Sequence, residues 1–349
     1  EKDIAKYSNM QLAKKVQLNS AYGAIGNQYF RFYDIRQALA ITKSGQLSIK
    51  WIEARINEYL NKLLKTENED YVIASDTDSL YITFDKLIEK FKPKNPIDFL
   101  DKVATDKIEP FIDKAYQELS DIMNAYSQKM FMKRETICDK GIWTAKKRYM
   151  LNVYDNEGVR YQKPKLKMMG IEAIKSSTPQ VCRDAIKKAI NIIMSKDEST
   201  LQSYIVEFKE KFFSMPFEDV AFPRGVSELN KYDSTVGTVI KNFEILKGTP
   251  LHIRGALVYN NCIKEKKLSK KYQTIKSSEK IKYCYMKEPN PLRQNVLSVL
   301  NVLPQEFGMN EYIDYETQFS KSFLEPLKLI LDKINWTTEK KATLEDFFS

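Results

Sequence analysis

Apolar residues recur every three or four positions along several stretches of the chain, and this period is typical of amphipathic α-helices. Residues 1–23 predict a helix that ends near Gly23 and Gly26. Residues 44–65 predict a longer helix, whose apolar face consists of Leu47, Trp51, Ile52, Ile56, Tyr59, Leu60 and Leu63. Further helices are predicted after a linker at 92–96 up to about Met130, over 199–214, and near 309–334.

Other runs have the β-prone composition and alternation of strands. Residues 71–75 (YVIAS) and 80–84 (LYITF) flank the sequence Asp-Thr-Asp-Ser, which predicts a hairpin because Asp and Ser favour turns. Three strand-like runs between residues 131 and 155 predict that this hairpin belongs to a larger antiparallel sheet.

The pattern changes after about residue 170. Residues 177–196 predict a helix with Thr178 as its N-cap and Pro179 at its first position. Its buried stripe consists of Ala185, Ile186, Ala189, Ile190 and Ile193. The predicted fold class is therefore α+β, with an antiparallel sheet and helices followed by a mostly helical domain.

Composition adds a charge asymmetry. The 349 residues include 56 Lys and Arg against 46 Asp and Glu, a net charge of +10, which indicates a polyanionic partner. Lysine enrichment from an AT-rich genome is the alternative. Residues 133–175 hold eleven basic and five acidic residues with tyrosines between them, and clustering of this kind favours phosphate contacts. A second block, at 266–282, holds seven lysines, and there a solvated loop is the favoured alternative.

Several classes of protein are disfavoured. No run of about 18 apolar residues exists, and the N-terminus has no signal-peptide core, so we expect no membrane segment and a cytoplasmic protein. The four cysteines form no CxxC pair and are expected to be reduced. His252 is the one histidine, which nearly excludes a Ser-His-Asp triad or a zinc site built on histidines.

The hairpin carries the first candidate chemistry. Asp76 and Asp78 place two carboxylates at one turn, where they repel each other unless a cation lies between them. Oxygen ligands favour Mg²⁺ or Mn²⁺. The alternative is that these residues only form the turn.

A second group lies on the first helix. Lys15, Asn19 and Tyr22 are spaced i, i+4 and i+7, which places them on one helical face that ends at Gly23. A cation, an amide and an aromatic ring in this order suit a triphosphate, a sugar and a base. Taken singly, Lys15 could be solvated and Tyr22 could belong to the core.

Together these motifs resemble those of the B-family DNA polymerases, in particular the replicative enzymes of T-even-like bacteriophages. Residues 14–27 (KKVQLNSAYGAIGN) resemble the family's second motif, Kx₃NSxYG, and residues 75–79 (SDTDS) resemble its third, YGDTDS. Residues 144–149 (TAKKRY) resemble the element that grips the primer strand, and residues 163–179 resemble the palm-to-thumb junction. The likeness runs through nearly the whole chain. It implies the end of the fingers at 1–27, the palm at 28–170 and the thumb at 171–349.

The resemblance implies roles for matching residues around the nucleotide. Asp78 matches the carboxylate that bridges two metal ions, and Asp76 matches its partner acid, with a less direct metal contact. Lys15 should contact the nucleotide phosphates, Asn19 should line the same face, and Tyr22 and Gly23 should pack under the nascent base pair. Glu135 matches an acid near this pair, while Lys133 stands where phage relatives often have aspartate. Ser75 replaces the usual glycine.

It also implies DNA contacts. Lys147 and Tyr149, within the Lys146, Lys147, Arg148, Tyr149 element, should meet the primer near its terminus, and Lys165 and Lys167 the duplex backbone. Residues 252–260 resemble a thumb strand near the DNA, with His252 and Arg254 beside the phosphates. A structural role for His252 is an open alternative.

Polymerases of this family need a further aspartate from a first motif, Dx₂SLYP, which precedes the second motif. Only about 13 residues precede the second motif here. Residues 76–82 mimic Dx₂SLY, but they follow the second motif and match the third. The resemblance therefore implies a DNA-directed DNA polymerase that adds dNTPs to a primer. A separate N-terminal chain would carry the first motif and the exonuclease and share the two metal ions. A cut fragment, or a DNA-binding accessory chain without catalysis, is the alternative.

The C-terminal residues 341–349 (KATLEDFFS) have Leu344, Phe347 and Phe348 in the spacing of sliding-clamp peptides. The resemblance favours a sliding clamp as a partner. The alternative is that this segment packs on its own thumb.

Overall fold

The computed structural model describes residues 2–232 and 248–340. The predicted clamp-binding residues Leu344, Phe347 and Phe348 lie outside the described residues, so that assignment stays a prediction.

The described chain combines helices with small antiparallel sheets, which confirms the predicted α+β class. The helices are α1 (Lys2–Ile25), α2 (Ile35–Leu64), α3 (Asp85–Phe91), α4 (Pro96–Val103), α5 (Glu109–Ile122), α6 (Gln180–Ser195), α7 (Glu198–Phe213), α8 (Phe217–Val220), α9 (Leu229–Tyr232), α10 (Leu251–Glu265), α11 (Tyr315–Phe319) and α12 (Glu325–Leu331). The strands are β1 (Val72–Asp76), β2 (Ser79–Ile82), β3 (Thr136–Ala145), β4 (Arg148–Asn156), β5 (Val159–Met169), β6 (Phe222–Gly225), β7 (Lys280–Tyr285) and β8 (Val296–Val299).

The contacts between residues divide the chain into two units. Unit 1 comprises Glu1–Ile137 and Tyr154–Arg160, and unit 2 comprises Cys138–Val153 and Tyr161–Ser349. Strands β3, β4 and β5 form one sheet in that order and contribute residues to both units. The predicted limits of fingers, palm and thumb are functional divisions, and they stay predictions.

The core of unit 1 forms where α2 meets α5 and the β1–β2 hairpin. Its buried members include Ile52, Ile56 and Leu60 of α2, together with Tyr71 and Val72 at the start of the hairpin. Burial of each such side chain stabilises the fold by about 1.5–3 kcal/mol. These contacts fix the hairpin against a long helix.

Two asparagines of α2 hold the chain that enters β1. The Asn57 Oδ1 accepts the backbone N–H of Tyr71 at 2.8 Å, and its Nδ2 donates to Asp70 at 2.9 Å. The Asn61 side chain donates to the Glu69 carbonyl at 2.8 Å and accepts the Glu69 N–H at 3.0 Å. These bonds satisfy backbone groups that no strand partner reaches.

A buried carboxylate organises the other end of unit 1. Asp155 is fully buried and forms ion pairs with Arg134 and Arg160, and its Oδ1 also accepts the Gly158 N–H at 3.0 Å. Both arginines bind Asp101 as well, at 2.6 and 2.9 Å. A buried charge is tolerated only when it is paired and hydrogen-bonded. The Asp155 carboxylate meets both conditions.

Unit 2 has the larger core. The predicted stripe of α6 is confirmed, since Ala185, Ile186, Ala189, Ile190 and Ile193 are all buried. Strands β6, β7 and β8 form an antiparallel sheet, and α10 packs closely on β8. Burial raises the pKa of the Cys182 and Cys262 thiols to about 12. The four cysteines are free in the structure.

Several local predictions are wrong. The β1–β2 hairpin forms a two-stranded sheet of its own within the described residues, because the strand-like runs after residue 131 pair with one another. Residues 252–260 lie within helix α10 instead of a strand, since their apolar side chains fit a helical face against β8. Pro179, not Thr178, is the N-cap of α6, and its carbonyl accepts the Arg183 N–H at 2.9 Å.

The predicted second helix also differs from the observed one. Helix α2 begins at Ile35, where Asp34 caps it by accepting the Arg36 N–H at 2.9 Å. Its predicted face is buried at Ile52, Ile56 and Leu60, whereas Leu47 and Leu63 are exposed. Within the described residues, none of the helices has the length and apolar character needed to cross a membrane.

The close packing of α10 on β8 depends on Gly255. A Cβ atom there would lie 2.4 Å from the Ser298 Oγ and 2.7 Å from the Ser298 backbone nitrogen. We therefore expect Gly255→Ala to lower the free energy of unfolding by about 1–3 kcal/mol, as overpacking does. Urea denaturation of both proteins measures the difference.

Gly45→Ala is the matched control. Gly45 also lies inside a helix, but a Cβ atom there would meet nothing within 4 Å. It should raise stability by about 0.5–1 kcal/mol through helix propensity. Equal effects at the two positions would contradict the packing described here.

Candidate active site

The two aspartates lie at a two-residue turn. Asp76 pairs with Ser79 at the end of the β1–β2 ladder, and Thr77 and Asp78 form the turn. The Asp78 N–H donates to the Asp76 carbonyl at 2.7 Å, which closes a tight turn around Thr77. Thr77 has φ 57°, which is rare for a β-branched residue and persists only where surrounding contacts hold it.

Local hydrogen bonds order the Asp76 side of this turn. The Thr77 hydroxyl donates to the Asp76 carboxylate at 3.1 Å, and the Ser79 hydroxyl donates to the Asp76 carbonyl at 3.1 Å. The Asp76 residue is half-buried, whereas Asp78 is exposed. The turn thus presents carboxylate, hydroxyl and carbonyl oxygens, a set of donors that suits Mg²⁺ or Mn²⁺.

Two carboxylates make an incomplete site. In the described part of the chain, no group of three or more His, Cys, Asp or Glu side chains is placed to hold a metal ion. Glu135, the third predicted acid, is therefore not gathered with Asp76 and Asp78. Its backbone is fixed separately, because its carbonyl accepts the Glu157 N–H at 2.6 Å. The metal-binding role of Glu135 stays a prediction.

The second predicted group lies on α1. This helix is continuous over Lys2–Ile25, so Lys15, Asn19 and Tyr22 share a helical face, as their spacing predicts. Tyr22 is 43% exposed, so it does not belong to the core. A Cβ atom at Gly23 would meet nothing within 4 Å. The four predicted nucleotide-binding residues are thus presented on an exposed helix.

The basic element lies at the β3–β4 turn of unit 2. Lys146 and Lys147 form this two-residue turn and are exposed. Arg148 follows them, and its two terminal nitrogens donate to the two carboxylate oxygens of Glu172 at 2.9 and 2.6 Å. Tyr149 is buried, with its ring centre 6.2 Å from that of Trp143. The DNA contacts assigned to Arg148 and Tyr149 stay predictions.

Strand β5 carries further cations. Lys165 is exposed, and its ammonium nitrogen lies 4.1 Å from the centre of the Tyr161 ring, a cation–π contact. Lys167 is half-buried. Exposed lysine beside an aromatic ring is compatible with contact to a nucleic acid, which offers both phosphates and base faces.

His252 and Arg254 lie in the first turn of α10. Burial, helped by the nearby Arg224 charge, lowers the pKa of His252 below its usual range, so this residue is neutral at pH 7. The Arg254 Nη2 donates to Asn295 at 2.6 Å. A neutral histidine binds phosphate only as a hydrogen-bond partner, which weakens the electrostatic part of the predicted role.

The second lysine block is partly structural. Glu306 accepts hydrogen bonds from Lys271 at 2.5 Å and from the Tyr272 hydroxyl at 2.9 Å, and its carbonyl accepts one from Lys266 at 2.7 Å. Lys282 donates to the Glu218 carbonyl at 2.9 Å. Some lysines of this block therefore serve the fold, and contact of the block with phosphates stays a prediction.

Sequence reasoning missed Gly170 and Glu172, which contact the basic turn. Gly170 has φ 66°, and a Cβ atom there would lie 2.3 Å from the Lys147 carbonyl oxygen. A glycine directly after a strand is the one signal that could have indicated it. The Arg134–Asp155 pair was missed as well, because its members lie 21 residues apart.

The chain is similar to known DNA polymerases. A model described as DNA polymerase family B matches residues 1–94, and one described as divergent family B DNA polymerase matches residues 62–207. A DNA-directed DNA polymerase of Enterobacteria phage T4 is 37% identical over 366 residues, which cover 100% of this chain and 40% of the relative. The DNA-directed DNA polymerase of Escherichia phage RB69 is 38% identical over 358 residues, which cover 97% of this chain and 38% of the relative.

The chain thus spans about two fifths of the length of the curated relatives it matches. The two family matches overlap at the β1–β2 hairpin and together extend over α1 and the β3–β4–β5 sheet. The chain belongs to DNA polymerase family B.

Proposed function

We propose that this chain supplies the C-terminal part of a DNA-directed DNA polymerase, which adds dNTPs to the 3′-hydroxyl of a primer. The observation that carries the proposal is the pair of aspartates at the tip of the β1–β2 hairpin in a family B chain. B-family DNA polymerases generally use divalent metal ions. The oxygen donors of this turn fit Mg²⁺, with Mn²⁺ as an alternative.

Each group of residues has one task in this reaction. Asp76 and Asp78 would hold the divalent ions, which when bound would activate the primer hydroxyl and stabilise charge on the transferred phosphoryl group. Lys15 contacts the triphosphate from the exposed face of α1, and Asn19 lines that face beside it. Tyr22 stacks beneath the nascent base pair. Lys147 holds the primer backbone close to its end.

Catalysis requires a further carboxylate, and we propose that a separate N-terminal chain provides it. Among the described residues, no set of three or more acids, histidines or cysteines is placed to hold a metal ion. The curated relatives are about two and a half times as long as the matched region. A partner chain with the first motif and the exonuclease would complete the site and share both metal ions.

An exposed apolar surface at the start of unit 1 supports this partner. Helix α1 has 24 residues and no buried side chain. Apart from Tyr22, the exposed apolar side chains that form this N-terminal apolar surface are Ile4, Tyr7, Met10, Leu12, Val16, Leu18, Tyr29, Phe30, Phe32, Tyr33, Ile35, Leu39 and Ile41. The Asp34 N–H donates to the Ile25 carbonyl at 3.1 Å, which ties α1 to α2. Large exposed apolar surfaces commonly mark protein interfaces.

A DNA-binding accessory chain without catalysis is the second candidate. The incomplete set of acids favours this accessory role. The helical face with Lys15, Asn19 and Tyr22 favours an enzyme, because a protein that only binds DNA needs no nucleotide site. The sliding clamp remains a proposed partner on the sequence of residues 341–349 alone.

Asp78→Asn distinguishes the two candidates. This substitution removes a negative charge but keeps the size of the side chain. In the complex with the N-terminal chain, primer extension should fall at least about a hundredfold, because a metal ligand is lost. Binding of primer-template DNA, measured by fluorescence anisotropy, should change less than about threefold.

Asp332→Asn is the control, since Asp332 is an exposed aspartate outside the proposed site. It should leave extension unchanged. Full extension by Asp78→Asn in the complex would contradict the catalytic assignment.

Leu18→Glu tests the N-terminal apolar surface. Leu18 is 73% exposed, so a glutamate there should leave the folding of this chain unaffected. Association with the N-terminal chain should weaken by at least about tenfold, because the charge would be buried at the interface. Analytical ultracentrifugation or calorimetry measures the dissociation constant. The control Val206→Glu places the same charge on α7, at a residue 60% exposed, and should not affect association.

A further inference from the structure

The β3–β4 turn has a backbone that its own sequence does not favour. Lys147 has φ 59°, in the left-handed region where a residue other than glycine is uncommon. Such a conformation costs on the order of 1 kcal/mol and persists when neighbouring contacts impose it. The turn also presents its two lysines to solvent. Contacts from outside the turn are therefore needed to hold its backbone in this conformation.

Gly170 provides the first of these contacts. It directly follows strand β5, and its backbone lies against the turn. A Cβ atom at Gly170 would lie 2.3 Å from the Lys147 carbonyl oxygen and 3.1 Å from the Arg148 Cγ. Since no side chain fits in that space, a larger residue would push the turn away.

Glu172 provides the second contact. It binds both terminal nitrogens of Arg148 and also accepts from Lys175 at 2.9 Å. Ile171 and Ala173 on either side of it are fully buried, which anchors the carboxylate in the core of unit 2. Burial alone would raise the pKa of Glu172, but the hydrogen bonds from Arg148 and Lys175 outweigh burial and lower it. The pair is therefore ionised at neutral pH.

This ion pair changes the role that Arg148 can have. Both terminal nitrogens of its guanidinium face Glu172, and the side chains are only 22% and 18% exposed. A bidentate arginine–carboxylate pair is geometrically rigid. Arg148 thus fixes the start of β4, while Lys146 and Lys147 carry the exposed charge of the turn.

We propose that Gly170 and the Arg148–Glu172 pair are positioning residues that hold the Lys146–Lys147 turn in the conformation that binds the phosphate backbone of DNA. This inference rests on the proposed function, which makes primer-template DNA the polyanion. The two contacts act from one segment, residues 170–172, that follows directly after β5. Their loss leaves the charges of both lysines in place and changes only where those charges lie.

Glu172→Gln separates positioning from simple electrostatics. The substitution removes a negative charge from the neighbourhood of the turn, so electrostatics alone predicts tighter binding of DNA. Positioning predicts the reverse, because Arg148 loses its rigid partner. We expect affinity for primer-template duplex to fall about threefold or more, despite the gain of one unit of positive charge. Binding equal to or tighter than that of the wild-type chain would contradict the inference.

Gly170→Ala tests the close approach, and Gly308→Ala is its matched control. Both glycines have φ 66°, but a Cβ atom at Gly308 would meet nothing within 4 Å. The two alanine variants therefore share the backbone strain and differ in the contact with Lys147. Fluorescence anisotropy over a range of salt concentrations measures the affinity of each full-length variant for primer-template duplex. Thermal unfolding verifies that each variant is folded.

Lys147→Ala sets the scale of the effect. It should weaken binding by about three- to tenfold and reduce the salt dependence by the equivalent of about one phosphate contact. Gly170→Ala should weaken binding to a similar extent, and Gly308→Ala less than twofold. In the double variant of Gly170 and Lys147, the second substitution should add less than a twofold change, since both act through one contact.

The outcomes separate this inference from the function on which it rests. If Lys147→Ala weakens binding while Gly170→Ala behaves like Gly308→Ala, the positioning role is contradicted and the polymerase assignment stands. If the wild-type chain does not bind the duplex, or Lys147→Ala has no effect on binding, the proposed contact of the turn with DNA is itself wrong. If Gly170→Ala does not fold, Glu172→Gln alone tests the positioning role: weaker DNA binding supports it, and equal or tighter binding contradicts it.

Discussion

The packing of the β1–β2 hairpin against α2 is the constraint on which the candidate site depends. Tyr71 and Val72 are buried against the apolar stripe of α2, and Asn57 and Asn61 bind the backbone that leads into β1. With its base fixed in this way, the hairpin can end in a turn that is unfavourable in two respects. Thr77 adopts a positive φ, and the carboxylates of two neighbouring aspartates repel each other. A cation would relieve the repulsion, which is why the turn suits a metal site.

The same arrangement occurs at the β3–β4 turn. There the strained residue is Lys147, and the support comes from Gly170 and from the ion pair of Arg148 with Glu172. In both turns the side chains proposed to act lie at the tip, and the residues that hold them lie in buried segments nearby. Structures commonly place functional residues on strained turns that their surroundings over-determine. In each turn, contacts from buried residues therefore hold the backbone at the tip.

Much of the fold and of the candidate site could be predicted from the sequence, and the predictions that failed share a cause. The α6 stripe and the β1–β2 hairpin follow from local periodicity, which depends on residues close in the chain. The strand predicted at 252–260 is wrong because its apolar residues suit a helix packed on β8 equally well, and only the tertiary partner decides. Asp155 and Glu172 gave no signal, since a buried ion pair is formed between residues far apart in sequence. The motifs at Asp76, Asp78, Lys15, Asn19 and Tyr22 were visible because the members of each motif lie close together in the sequence.

The central claim is that this chain carries half of a metal-dependent polymerase site and that an N-terminal chain carries the other half. Primer extension with Mg²⁺ on a primed DNA template tests it most directly, using this chain alone, the N-terminal chain alone, and the two together. We predict extension only when both chains are present, because the acids that bind the metal ions are divided between them. Extension by this chain alone would contradict the claim, since its own residues would then complete the site.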